Sequence, residues 1–177
     1  MIMSDCDLTK LLESGQLIID PLSKDTIQQN GIDFKIGNEI GERTRNAAEK
    51  IIDSKSTEDI KNSFLVTENE SDFILSPLQH YLLTTKERIR MPDNLMGFCG
   101  LRSTFARLGF VSPMTVIDAG FEGTLTIGIF YGGNSPIKVS IGTRFLHVVF
   151  AQLKTKTEIP YEGYYKMQKG VSIPKSL

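Results

Sequence analysis

Apolar positions fall into two rhythms along this chain. Leu8, Leu11 and Leu12 follow Ser4-Asp5-Cys6-Asp7 at helical spacing and stop at Gly15, which predicts one short, N-capped amphipathic helix. From Gly31 to Gly37 apolar and polar residues alternate instead, a strand pattern that places Asp33 and Lys35 on one face. The same signal returns at short, regular intervals in Phe73-Ile74-Leu75, Tyr81-Leu82-Leu83, Leu95 to Cys99, Thr124 to Tyr131, Ile137-Lys138-Val139 and Phe145 to Phe150. Pro77, Pro92-Asp93-Asn94, Gly132-Gly133-Asn134 and Gly142 punctuate these runs as turns. Short strands so spaced predict a mainly β chain, an antiparallel barrel or sandwich. Between them, Glu39 to Ser63 is rich in charged and small residues, and Ile40, Ala47, Ala48, Ile51, Ile52 and Ile60 keep only a broken helical period. That stretch reads as a partly helical surface insertion, either a solvated excursion or a lid or partner contact.

Length and charge narrow the picture. A chain of 177 residues fits a single domain spanning 1–177. With 20 Lys and Arg against 21 Asp and Glu there is no global field to favour nucleic acid or an anionic membrane, so any phosphate binding is local. Cys6 and Cys99 stand far apart, in no metal-type spacing, and read as free cysteines that behave as small buried hydrophobes. No apolar run reaches the ~20 residues of a membrane span and no leader pattern opens the chain, so cytoplasmic residence is the expectation.

Three polar segments interrupt the apolar pattern. Gly100 to Gly109 holds Arg102, Ser103, Thr104 and Arg107. Guanidinium forks and hydroxyls suit phosphate oxygens, although the same run also reads as a solvated helix with Phe105 and Leu108 inward. Val116 to Gly123 sets Asp118 and Phe121 at a glycine-punctuated turn, where a carboxylate orients water or a sugar hydroxyl, or is an ordinary turn residue. Tyr161 to Gly170 carries Tyr165, Gln168 and Lys169, either a frayed end or a tail, about 161–177, that closes over phosphates.

In this order the segments resemble the dUTPase and dCTP deaminase superfamily. Gly31-Ile32-Asp33-Phe34-Lys35-Ile36-Gly37 is similar to its S-x-D-L-R-L-G strand, and Arg102 to Gly109 to R-S-S-x-A-R-L-G. Ile117 to Gly123 is similar to I-D-x-G-F-x-G, and Tyr165 to Gly170 to Y-x-x-Q-x-G. The resemblance implies a distorted, jelly-roll-like antiparallel barrel of the β-clip kind, assembled as a homotrimer with active sites between subunits, and a triphosphate held through Mg2+. It implies phosphate contacts from Arg102, Ser103, Thr104 and Arg107, and Phe121 packed on the deoxyribose. Tyr165, Gln168 and Lys169 then close on the triphosphate, Asp118 faces the sugar and the catalytic water, and Asp33 is an indirect metal partner through water.

Departures from the family pattern bear on activity. Deaminases carry a proton-shuttling glutamate after T-L or T-I, whereas Thr126-Ile127 here precedes Gly128. Their H-V-T-A run is also replaced by Val111-Ser112-Pro113-Met114-Thr115. His147 stands where G-x-x-I-A-Q-L has glutamine, as a core histidine or a substitute phosphate contact. The reading that results is a dUTP diphosphatase in which Asp118 activates water for attack on the α-phosphate. The alternatives are a dCTP deaminase, with Glu122 as a substitute acid and dUTP or dUMP plus ammonia as products, and a non-catalytic nucleotide-binding homologue.

Overall fold

The computed structural model describes residues 1–44 and 51–177. Helix α1 (Asp5–Glu13) starts where Ser4 and Asp7 satisfy each other: the Ser4 hydroxyl accepts the Asp7 N–H, and Asp7 accepts the Ser4 N–H at 3.1 Å. Leu8 is the side chain that α1 buries completely. Two short strands follow, β1 (Ile18–Asp20) and β2 (Ile27–Gln28), and then the long β3 (Gly31–Arg43).

Among the described residues nine more strands follow: β4 (Phe64–Glu68), β5 (Asp72–Leu75), β6 (Gln79–Arg90), β7 (Leu95–Leu101), β8 (Phe110–Val111), β9 (Thr115–Ile117), β10 (Glu122–Tyr131), β11 (Ile137–Ser140) and β12 (Arg144–Gln152). Two more helices are short, α2 (Thr57–Asn62) and α3 (Ser103–Arg107). The large sheet runs β8-β10-β6-β3-β12-β7-β9, all antiparallel, while β5 and β11 pair separately. It is the expected antiparallel β architecture, curled into a half-barrel. Strand β3 makes the curl by changing partners: Ile32 to Lys35 lie against β12, and beyond a register shift Ile40 to Glu42 lie against β6. Phe34, Ile36, Leu83, Phe145, Val148 and Phe150 fill the concave core with negligible exposure. Of the two free cysteines, Cys99 meets the expectation of burial and exposed Cys6 does not.

The stretch expected to be an insertion from Glu39 is corrected at its start. Glu39 to Arg43 continue β3 and pair with β4, and Ile40 and Gly41 are buried. One apolar residue among Glu39, Glu42 and Arg43 is too weak an alternation to announce a strand, and its partner β4 is itself mostly exposed. Ala47 and Ala48 lie outside the described residues. The helical part is α2, capped by Ser56 and anchored by buried Ile60, whereas Ile51 is exposed.

Candidate functional site

Polar residues singled out by the sequence collect in two separate recesses. The first is built by β9, the turn after it, and the returning tail. Asp118 leaves β9 exposed to solvent, and the Phe121 N–H closes the turn on the Asp118 carbonyl at 3.1 Å. Gly120 has φ +83°, and a Cβ there would stand 2.5 Å from Pro160 Cβ, so this turn and the tail meet only through glycine. Phe121 is buried against Tyr161, ring centroids 5.7 Å apart. The Thr124 N–H donates to the Gln168 carbonyl at 3.0 Å, and Gln168 Nε2 donates back to the Thr124 carbonyl at 2.6 Å. Gln168 Oε1 is buried without a hydrogen-bond partner. Asp118, Phe121, Tyr165 and Gln168 thus line one cavity of about 410 Å³, together with Thr115, Val116 and Thr126.

Two features of that cavity limit its chemistry. Among the described residues lining it, Asp118 is the one carboxylate. Cys99 also lines it, but burial pushes its thiol up to about 12, which leaves it protonated and a poor nucleophile. Glu122 does not line it; that carboxylate pairs with Arg88. Farther along β10, Gly128 lies beside His80, whose Nε2 would be 3.2 Å from a Cβ at that position. The His80 ring sits edge-on to Phe64, and burial, then the nearby Arg43 charge, holds its imidazole below the usual histidine range.

The second recess, open and about 330 Å³, is lined by Asp33, Arg102, Ser103 and His147 with Gln28 and Asn30. At its base Asp33, only 2% exposed, faces three basic groups: His147 Nδ1 lies 2.8 Å from Oδ1, and Arg102 Nε and Arg144 Nη1 lie 3.0 and 3.5 Å from Oδ2. Asp33, expected to attend a metal through water, thus stands in the interior beside two guanidinium groups and an imidazole, and its Oδ2 has ion-pair neighbours but no hydrogen-bond partner. Among the described residues no group of three His, Cys, Asp or Glu side chains is placed to hold an ion.

Helix α3 presents the arginine segment. Phe105 anchors it against Phe110 and Phe145, while Leu108, on the inward face in the solvated-helix reading, is 48% exposed. Ser103, Thr104 and Arg107 are exposed, and of these only Ser103 lines the recess. Lys169 is exposed and borders neither recess. Sequence reasoning missed Arg144, whose link to Asp33 depends on the β3 to β12 register that sets His147 directly opposite Asp33. Its one signal was a basic residue opening an otherwise apolar strand.

The described residues thus form a curled antiparallel sheet with an acid beside an aromatic-walled cavity and a separate arginine recess, and no helix among them is long and apolar enough to cross a membrane. The model of the dCTP deaminase-like family matches residues 2–153, and the chain belongs to that family. It is 43% identical over 175 residues to a dCTP deaminase of Metallosphaera sedula, covering 99% of this chain and 98% of that one. It is 45% identical over 175 residues to a probable deoxyuridine 5'-triphosphate nucleotidohydrolase of Sulfolobus islandicus rod-shaped virus 1, covering 99% of both. Among solved structures, the 2'-deoxycytidine 5'-triphosphate deaminase of Agrobacterium tumefaciens superimposes with a TM-score of 0.66 at 20% identity, over 86% of this chain. The chain spans 47% of that protein's length. Family members are nucleotide-modifying enzymes, and relatives of similar identity carry the names of both a dCTP deaminase and a probable deoxyuridine 5'-triphosphate nucleotidohydrolase.

Proposed function

We propose that this protein is a dUTP diphosphatase, hydrolysing dUTP to dUMP and diphosphate. The observation that carries the reading is the single carboxylate of the cavity: Asp118 is present, and on β10 a glycine, Gly128, stands where deaminase relatives are expected to carry a glutamate. Hydrolysis at phosphorus needs one base to activate water, whereas deamination needs a group that also moves protons on the ring. Glu122, the candidate substitute acid, is held by Arg88, which counts against dCTP as the substrate.

In this reading the deoxyribose packs on Phe121 and the uracil lies along β9, the last strand of its sheet, whose free edge offers backbone N–H and C=O groups to the base. Asp118 takes a proton from water as the oxygen attacks the α-phosphorus, and diphosphate leaves. Arg102 and Ser103 hold the phosphates, with Thr104 and Arg107 at the rim of the same helix. Tyr165, Gln168 and Lys169 belong to the tail that covers the nucleotide. The two recesses share no lining residue, so the proposal includes a homotrimer in which the arginine recess of one subunit serves the Asp118 cavity of the next. Mg2+ enters as part of the substrate, chelated by the triphosphate, where it neutralises charge.

The test is to incubate the protein with Mg2+ and either dUTP or dCTP and to quantify diphosphate and ammonia. Diphosphate from dUTP with no ammonia from dCTP is the expected result; ammonia from dCTP would overturn it. Asp118→Ala should retain dUTP binding and lose ~10²–10⁴ in turnover, the usual contribution of a positioned base.

A further inference from the structure

Among the side chains that line the arginine recess, Arg102 has the most conformational freedom to lose. Its backbone is fixed, because it stands at the N-terminal end of α3 and its N–H donates to the Phe145 carbonyl of β12 at 2.9 Å. Its side chain is long and 32% exposed, yet the guanidinium is held from the interior. Nε lies 3.0 Å from Asp33 Oδ2, and Nη1 donates to the Arg144 carbonyl at a long 3.5 Å.

The carboxylate that holds Arg102 is itself fixed by its neighbours. Asp33 is 2% exposed on β3, directly opposite His147 of β12. Its Oδ1 lies 2.8 Å from His147 Nδ1, and that ring is packed so tightly on Gly31 that a Cβ there would stand 2.7 Å from Nε2. Arg144 Nη1, 3.5 Å from Oδ2, also donates to the Asp25 carbonyl at 2.8 Å. Oδ2 nonetheless has no hydrogen-bond partner. A buried carboxylate so incompletely bonded adds little net stability, and what it supplies is a fixed negative charge behind Arg102.

We infer that Asp33 is a positioning residue for the triphosphate: it touches no phosphate itself and holds Arg102 in the pose that faces the recess, so that the guanidinium is ordered before the nucleotide arrives. The inference rests on the proposed placement of the substrate phosphates against Arg102. Charge and position pull in opposite directions here. Two guanidiniums less one carboxylate leave one positive charge at the base of the recess, and removing the carboxylate leaves two. If charge decided affinity, neutralising Asp33 would tighten triphosphate binding. Because position decides it, the same change weakens binding by the cost of ordering one long side chain, up to about tenfold.

The experiment compares the wild type with Asp33→Asn, which keeps the side chain's shape and one acceptor. KM for dUTP and Kd for the non-hydrolysable analogue α,β-imido-dUTP should both rise about tenfold, with kcat within about twofold and the affinity for phosphate-free deoxyuridine unchanged. In an Arg102→Ala background the same substitution should cost nothing further. Analogue affinity that is unchanged or tighter in Asp33→Asn would overturn this proposal alone, and so would a loss equal in both backgrounds. A loss seen with Mg2+ and absent in EDTA would also overturn it, since Asp33 would then act as an indirect metal contact. If Asp33→Asn does not fold, Arg102→Lys tests the same point, because it keeps the charge without the Nε–H that Asp33 holds: about a tenfold loss is expected, and wild-type affinity would overturn the proposal. Analogue binding that survives Arg102→Ala unchanged would overturn the placement of the phosphates, and this proposal with it.

Discussion

Two buried side chains that take no part in the proposed reaction show how environment sets chemistry one residue at a time. Glu87 is 3% exposed, and burial pushes its carboxyl up, partly offset by the Lys35 N–H that donates to it at 2.8 Å. A raised value in the folded state means that its contribution is fully present below the unfolded carboxyl value of about 4.3 and is lost as pH rises through the folded one. Glu87→Gln should therefore raise the melting temperature at pH 8, with the gain closing as the pH falls to 4; a difference that does not vary with pH would contradict this. Cys99, with its thiol pushed up to about 12, should resist N-ethylmaleimide in the native protein while exposed Cys6 reacts, as mass spectrometry of the labelled chain would show. At this scale the sequence singled out Asp118 and Phe121, which line one recess, and Arg102 and Ser103, which line the other. It was silent on Arg144, because an ion pair across strands exists only once their register does.

Elements were legible where the pattern was strong and local. The α1 capping box is written into Ser4 and Asp7, and Ser4→Ala should cost about 1 kcal/mol, or about 2–4 °C for a chain of this size, measurable by thermal unfolding. Asp7 is held below the usual carboxylate range by its bonds to Ser4, so the return half of the box, from Ser4 to the Asp7 carboxylate, is present above the unfolded carboxyl value and fades as acid titrates Asp7 through its lowered one. The second half of β6 was less visible because polar residues do structural work there. Between Thr124 and Thr126 the β6 to β10 register shifts, and the Thr85 hydroxyl, buried, accepts the Leu125 N–H at 2.9 Å while donating to the Glu87 carbonyl at 2.7 Å. A hydroxyl replaces a missing ladder partner, and such a run carries no apolar alternation to read.

For the whole molecule, the separation of the two recesses is the consequential fact. Sequence order placed Arg102 and Asp118 only sixteen positions apart, yet the fold sends them to different openings, a result of sheet closure that linear spacing does not contain. The proposed trimer turns this into a complementation test. Arg102→Ala and Asp118→Ala proteins, each inactive alone, should on co-assembly regain about a quarter of wild-type activity per site, since half the chains supply each intact recess independently in a symmetric ring. Sites contained within one chain would regain nothing.

The contact between His80 and Gly128 bears on how such a protein changes over time. A side chain at position 128 needs the imidazole 3.2 Å from its Cβ to give way, and that ring is braced by Phe64. Gly128→Glu alone should destabilise the fold and yield no ammonia from dCTP, while the same change in a His80→Ala background should be tolerated better, as paired melting curves would reveal. The stability effects of substitutions at the two positions should therefore not add, because the room for a side chain at 128 is set by the side chain at 80.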